Sequence, residues 1–332
     1  MASKIRRISL WLAAGVAVLG LGALAWARWP VPPSGRMVDV GGFRLHLVCE
    51  GAGSPAVILD SGSGDSWLSW FRVQPEIART TRVCSFDRAG IGYSDPGPQP
   101  RSRRRSVEEL RTLLARAGIP PPYVLVGHSF GGLDVRLLAA LHSEEVTGVV
   151  LVESAHEDHW AHAPREFWQN HQEAMKEDRL LAEKAERGEP MPPISSIPGL
   201  PWKARRQLAA VSRRPAWYRA SFEESEIAEA SPREFAGLPR QLDVPLIVLS
   251  AGSRQRPPSR PLELHQRWVR IAGELQADLA SRSPCSRHIT VPDAGHFIHW
   301  DRPKAVTSAI EALLDDLRHN TACARRSRLS PP

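Results

Sequence analysis

The sequence predicts an α/β fold, a mostly parallel central sheet flanked by helices with a helical insertion late in the chain. Three observations carry this. Short all-apolar runs alternate with amphipathic helical stretches, the pattern of strands buried on both faces and joined by crossover helices. One such strand, Tyr123–Val126, passes through a glycine-rich turn, Gly127-His128-Ser129-Phe130-Gly131-Gly132, into a helical pattern at Leu133–Leu141. The alternation then stops between about Glu157 and Leu242. There the chain is helical, charged and broken by Pro190, Pro192, Pro193, Pro198 and Pro201, before two further strands appear.

Along the chain, Ile8–Ala27 comes first, 20 residues without a charge and long enough to cross a bilayer as a helix. Lys4, Arg6 and Arg7 precede it. The positive-inside rule therefore keeps the N-terminus cytoplasmic and places the remainder outside. Residues 1–28 are expected to be a membrane anchor. A cleaved signal segment, cut at Ala23-Leu24-Ala25 or Ala25-Trp26-Ala27 and releasing a secreted or periplasmic protein, is the alternative. Residues 29–36 form a proline-rich linker. Met37–Val40 and Phe43–Cys49 read as a hairpin joined at Gly41-Gly42. Ala56–Leu59 and Arg82–Phe86 read as inner strands. Ser106–Ala117 reads as an amphipathic helix with Ser106 as N-cap and Glu109 three residues later. Val146–Val152, Pro245–Ser250 and His288–Val291 complete the strands. The core is thus 37–156 with 243–319, and 157–242 is a helical cap. Its Trp160, Trp168, Trp202 and Trp217 either line an apolar cleft or form the cap's own small core. A disordered tail spans 320–332.

With 42% hydrophobic and 24% charged residues over 332 positions, the chain folds into one or two globular domains. The net charge of +7 collects at the two ends and in a loop at Arg101, Arg103, Arg104 and Arg105. No nucleic-acid motif accompanies these runs, so they read as solvated or membrane-flanking rather than as a DNA or RNA footprint. Cys49, Cys84, Cys285 and Cys323 lack metal-site spacing. They allow three full pairings, and buried free thiols are the simplest reading of at least two.

The glycine-rich turn is short enough to arise by chance, so its context between strand and helix decides. Four segments together resemble the α/β-hydrolase fold family of the bacterial serine-hydrolase type. They are Val57–Gly64, the run Asp87-Arg88-Ala89-Gly90-Ile91-Gly92-Tyr93-Ser94, Gly127–Gly132, and Asp293-Ala294-Gly295-His296-Phe297. The resemblance covers roughly Arg36–Leu317. It implies a Ser, an acid and a His in that chain order, acting on esters and related acyl bonds.

Carried onto this sequence, Ser129 is the nucleophile, with Gly127 and Gly131 giving the tight turn room. His296 is the base, with His299 as runner-up. His128 packs or bonds locally. The loop after Pro245–Ser250, where many relatives hold the acid, reads Ala251-Gly252-Ser253-Arg254-Gln255-Arg256-Pro257-Pro258 and has no carboxylate. Glu153, directly after Val150-Leu151-Val152, is the expected acid. Glu263, Glu157 and Asp158 are weaker substitutes. The backbone amides of Phe130 and Ser63 are the expected oxyanion donors. His156, His159 and His162 do not keep to one helical face, so no metal is expected, and the chemistry asks for no cofactor. The implied partner is a small, partly apolar acyl substrate. The same triad serves lactone, amide, thioester and carbon–carbon cleavage. A catalytically silent binding protein is the rival, prompted by the missing acid after Pro245–Ser250 and by Ser61-Gly62 where many relatives carry His-Gly.

Overall fold

The computed structural model describes residues 32–192 and 197–319. The expected anchor, the start of the linker and the tail lie outside them. Among the described residues no helix is long and apolar enough to cross a membrane. The sheet and the site both belong to the compact unit that begins at Ser34.

Eight strands form one sheet in the order β1-β2-β4-β3-β5-β6-β7-β8. They are β1 (Arg36–Asp39), β2 (Arg44–Glu50), β3 (Ala56–Asp60), β4 (Val83–Phe86), β5 (Tyr123–His128), β6 (Val146–Val152), β7 (Leu246–Ala251) and β8 (Ser286–Val291). The β1–β2 and β2–β4 pairs are antiparallel and every other pair is parallel. The turn between β1 and β2 closes because the amides of Gly41 and Gly42 both donate to Asp39 Oδ1, at 2.7 and 3.2 Å.

Alternate strand residues face opposite layers. Leu125, Leu151 and Val248 pack with the helices α1 (Arg103–Arg116) and α2 (Phe130–Leu141), through Leu110, Val135 and Leu138. Val124, Val126, Val150 and Ile247 pack on the other face with Val306, Ile310 and Leu313 of the C-terminal helix Pro303–Arg318. Each such side chain, fully buried, stabilises the sheet by roughly 1.5–3 kcal/mol. Between β6 and β7 the chain forms α3 (Arg165–Glu186), α4 (Trp202–Val211) and α5 (Pro215–Glu229), with short helical turns at His159–His162 and Ser231–Phe235. After β7 comes α6 (Leu262–Ser281). Trp217, Leu208 and Ala220 of the insertion share a cluster with Leu68 and Ile91 of the core, so the insertion is packed rather than loosely tethered.

Three expectations are corrected. The helix predicted at Ser106 begins at Arg103: Ser102 is extended and its hydroxyl accepts from the Arg105 amide at 3.2 Å. Ser106 lies inside the first turn, and Glu109 turns to Arg101 instead. The arginine run is only partly solvated, because Arg103 is fully buried against Asp134 and Ser231. Finally, Cys49 and Cys84 are disulfide-bonded, directly opposite each other on β2 and β4, and Cys285 is disulfide-bonded too. No cysteine is left as a free thiol among the described residues.

Candidate active site

The end of β5 delivers Ser129 to the rim of the sheet. Its φ is +49° with ψ at −115°, a sparsely populated conformation that costs a non-glycine residue energy and is held here by its surroundings. The Ser129 amide donates to Val152 O, and the Ser129 carbonyl accepts from Ala155, so the end of β6 pins the turn on both sides. The close approach explains the glycines. A Cβ on Gly127 would stand 2.6 Å from Gly131 O, and one on Gly131 would stand 2.5 Å from Asp60 O. Ser129 Oγ lies 3.1 Å from His296 Nε2, within hydrogen-bond reach. His296 follows β8 in the loop Pro292–Phe297. Its ring is exposed to the cavities on either side, with protein crowded around it beyond them. That desolvation first, and the Arg254 cation second, pull its pKa down to about 4, so the imidazole is neutral at pH 7.

Opposite Ser129 runs the loop after β3. The amides of Phe130 and Ser63 make no hydrogen bond within the protein among the described residues, and Ser63 shares a cavity of about 370 Å³ with Ser129 and His296. A buried network fixes this loop. Arg88 donates to Asp60 at 2.7 Å, to the carbonyls of Ser61 and Gly62 at 2.8 and 2.6 Å, and to both oxygens of Glu224 at 2.6 and 3.0 Å. Glu224, on α5 of the insertion, also accepts from the Gly64 amide at 2.7 Å, and Trp217 Nε1 donates to Gly64 O at 2.9 Å. The Phe130 ring is held between the guanidinium groups of Arg88 and Arg103, 5.0 and 4.2 Å from its centre.

Glu153 shares a small cavity of about 100 Å³ with Ser129 and His296. It too has a positive φ, +43°. Its carboxylate, however, accepts from the Ala251 amide at 2.6 Å and pairs with Arg254. No hydrogen bond or ion pair joins it to His296 among the described residues. Arg254 stands in the carboxylate-free loop after β7 and draws Glu153 toward itself. Burial raises the Glu153 pKa and Arg254 opposes the rise. The substitutes lie elsewhere: Glu157 is buried between Arg136 and Arg282, Asp158 pairs with Arg240, and Glu263 is exposed on α6.

The runner-up base is out of place. His299 is buried, bonds Ser69 Oγ at 2.9 Å, and burial pushes its pKa to about 3. His128 bonds locally, its Nε2 lying 3.0 Å from His296 O, and its ring packs against His296, Phe297 and His299. The cap tryptophans divide. Trp217 is buried, Trp202 is 58% exposed, and Trp160 and Trp168 pack with His171. The aromatic walls beside His296 come instead from Trp268, Phe297 and Trp300.

Arg88, Glu224 and Arg254 are the site residues to which the sequence alone assigns no role. Arg88 has a signal, since it sits in the Asp87–Ser94 run. Glu224 and Arg254 have none, because each acts across more than 90 residues of chain.

The fold and this arrangement define an α/β hydrolase. Residues 57–309 match the model of the alpha/beta hydrolase family, and the chain belongs to that family. It is 25% identical over 263 residues to the uncharacterized protein YqjL of Bacillus subtilis, covering 79% of this chain and 84% of that one. Over 127 residues it is 37% identical to 2-hydroxymuconate semialdehyde hydrolase of Pseudomonas sp., covering 37% of this chain and 44% of that enzyme. Several other curated relatives are spanned over less than half of their length, down to 20%. Among solved structures, the enol-lactonase of Burkholderia xenovorans superposes with a TM-score of 0.60 at 21% identity, covering 84% of this chain and 100% of the enzyme.

Proposed function

We propose that the protein is a serine hydrolase that cleaves an ester or related acyl bond of a small molecule through an acyl-enzyme at Ser129. The observation that carries this is the 3.1 Å contact between Ser129 Oγ and a neutral His296 Nε2; the amides of Phe130 and Ser63, unpartnered among the described residues, are the expected oxyanion donors. In the first step the Oγ–carbon bond forms while the Oγ proton passes to Nε2. The two amides take the charge that develops on the carbonyl oxygen. The imidazolium then gives its proton to the leaving oxygen as the carbon–oxygen bond breaks. Water, deprotonated by the same Nε2, releases the acid and restores Ser129. Glu153 is the carboxylate that steadies the imidazolium at Nδ1, which requires its release from Arg254. Lactone opening and semialdehyde hydrolysis, the activities named for the two related enzymes, suit a nucleophile and base so placed.

The rival reading is a silent binding protein. It draws on Glu153 being held by Arg254. Labelling with a fluorophosphonate decides between them. The wild type is expected to label at Ser129 and Ser129→Ala not at all; an unlabelled, folded wild type sinks the enzyme reading.

The apolar run Ile8–Ala27, with Lys4, Arg6 and Arg7 before it, supports a membrane anchor holding the hydrolase outside the cytoplasm. The disulfides fit that compartment. Cell fractionation with N-terminal sequencing is expected to find the intact N-terminus in the membrane pellet. A soluble protein starting at Trp26 or Arg28 shows cleavage instead.

A further inference from the structure

The reactive pair stands between two chambers of different charge. On the oxyanion side, the cavity of about 370 Å³ has no arginine among the described residues of its walls; its acidic members are Asp65 and Asp178, beside Leu181 and Tyr218. On the far side of His296, a cavity of about 810 Å³ is walled by Arg72, Arg254, Arg260 and Arg302 and by the aromatic faces of Trp268, Phe297 and Trp300. Two acids line it as well. Asp293 faces Arg302 at 3.6 Å, and Asp301 accepts from the Gly295 amide at 2.8 Å. They leave cationic charge uncompensated. Arg72 donates only to the carbonyls of Trp300 and Pro198, at 2.8 and 3.4 Å. Arg260 lies over the Phe167 ring, 4.3 Å from its centre. Neither forms an ion pair among the described residues. Arg254 lines this chamber and also the small cavity that holds Ser129 and Glu153, so it bridges the chamber and the reacting atoms.

We propose that this chamber binds a carboxylate carried by the substrate, with Arg254 as its receptor, so that the protein acts on anionic acyl compounds in preference to neutral ones. The proposal rests on the serine-hydrolase reading and names its substrate class. A guanidinium presents a planar fork of donors that matches a carboxylate edge to edge. Glu153 fills only part of that fork, and the Arg254 side chain is 16% exposed on the wall. The chemistry at His296 points the same way. The Arg254 cation disfavours the imidazolium that must form when Ser129 attacks. A substrate carboxylate docked on Arg254 neutralises that cation. It also competes with Glu153 for the same donors and frees Glu153 to face Nδ1. A neutral substrate does neither, so discrimination acts on the chemical step as well as on binding.

The test compares 4-nitrophenyl monoglutarate with its neutral methyl ester, which has the same acyl length. The wild type is expected to favour the anion by at least about tenfold in kcat/KM, with Arg254→Gln collapsing that ratio and Arg254→Lys, which keeps the charge but not the fork, restoring only part of it. A wild-type ratio near one, or a ratio unchanged in Arg254→Gln, overturns the proposal. Calorimetric titration with glutarate and with neutral glutaramide separates this outcome from failure of the hydrolase reading. If Ser129 does not label and neither ester turns over, yet glutarate alone binds the wild type and is lost in Arg254→Gln, the anion chamber stands without the enzyme. A folded wild type, checked by circular dichroism, that binds glutarate no better than glutaramide removes it.

Discussion

Two arginine–carboxylate pairs flank Ser129, and they are built for different tasks. Arg88 is 5% exposed and commits every N–H it has, to Asp60, Glu224 and the carbonyls of Ser61 and Gly62. Arg254 is 16% exposed, meets a single carboxylate, and forms a cavity wall. The first pair fixes the loop after β3, because any movement breaks several bonds in a medium where water cannot replace them. The second can exchange partners, because a ligand entering the cavity offers Arg254 an equivalent contact. Rigidity lies on one side of Ser129 and exchangeability on the other.

The largest effect is expected at Glu153. Its replacement by Gln is expected to lower ester turnover by about 10,000-fold, as loss of a triad carboxylate does, whereas Glu263→Gln on exposed α6 leaves turnover near wild type. Equal rates for the two variants remove Glu153 from the chemistry. Next is Arg88→Met, which strands Asp60 and Glu224 as buried unpaired charges. Urea denaturation is expected to show a loss of about 3–5 kcal/mol, and a loss under about 1 kcal/mol erases the contrast with Arg254. Glu224→Gln keeps the side chain's shape but weakens its hold on Arg88 and Gly64. A fall of about 10- to 100-fold in kcat, with KM changed less, marks a displaced oxyanion donor. The smallest effect is a shift in pH dependence. His296 must be neutral to act, so kcat/KM is expected to fall as the pH drops through about 4 rather than through the ordinary histidine value of 6.5. Arg254→Gln removes one of the two causes of that depression. Its acid limb is expected to move upward, and an unmoved limb separates Arg254 from His296.

Much of the scaffold is readable from the sequence because it depends on local pattern. All-apolar runs such as Val124–Val126 and Val149–Val152 admit little else than inner strands, and Gly127 and Gly131 mark a turn where no Cβ fits. The errors arise where distant residues decide. Ser106 and Ser102 look alike as caps. The burial of Arg103 beside Asp134, which the sequence does not reveal, pulls the helix start to Arg103. The cysteines show no pairing until β2 and β4 align, setting Cys49 opposite Cys84. Glu153 is the instructive case. Its place at the end of β6 is legible, but which partner its carboxylate takes depends on an arginine 101 residues later in a loop with no regular structure.

The Glu224–Gly64 hydrogen bond has a consequence for how such a protein can change. The insertion between β6 and β7 is the segment that one would exchange to alter what enters the cleft. Yet one of its carboxylates also braces the core loop opposite Ser129. A transplanted insertion that shapes the cleft correctly but lacks an acid at this position leaves Arg88 short of a partner and the loop slack. The shape of the cleft and the placement of the loop after β3 are therefore not separate modules in this molecule, and a graft must carry both Trp217 and Glu224 to keep that loop in place.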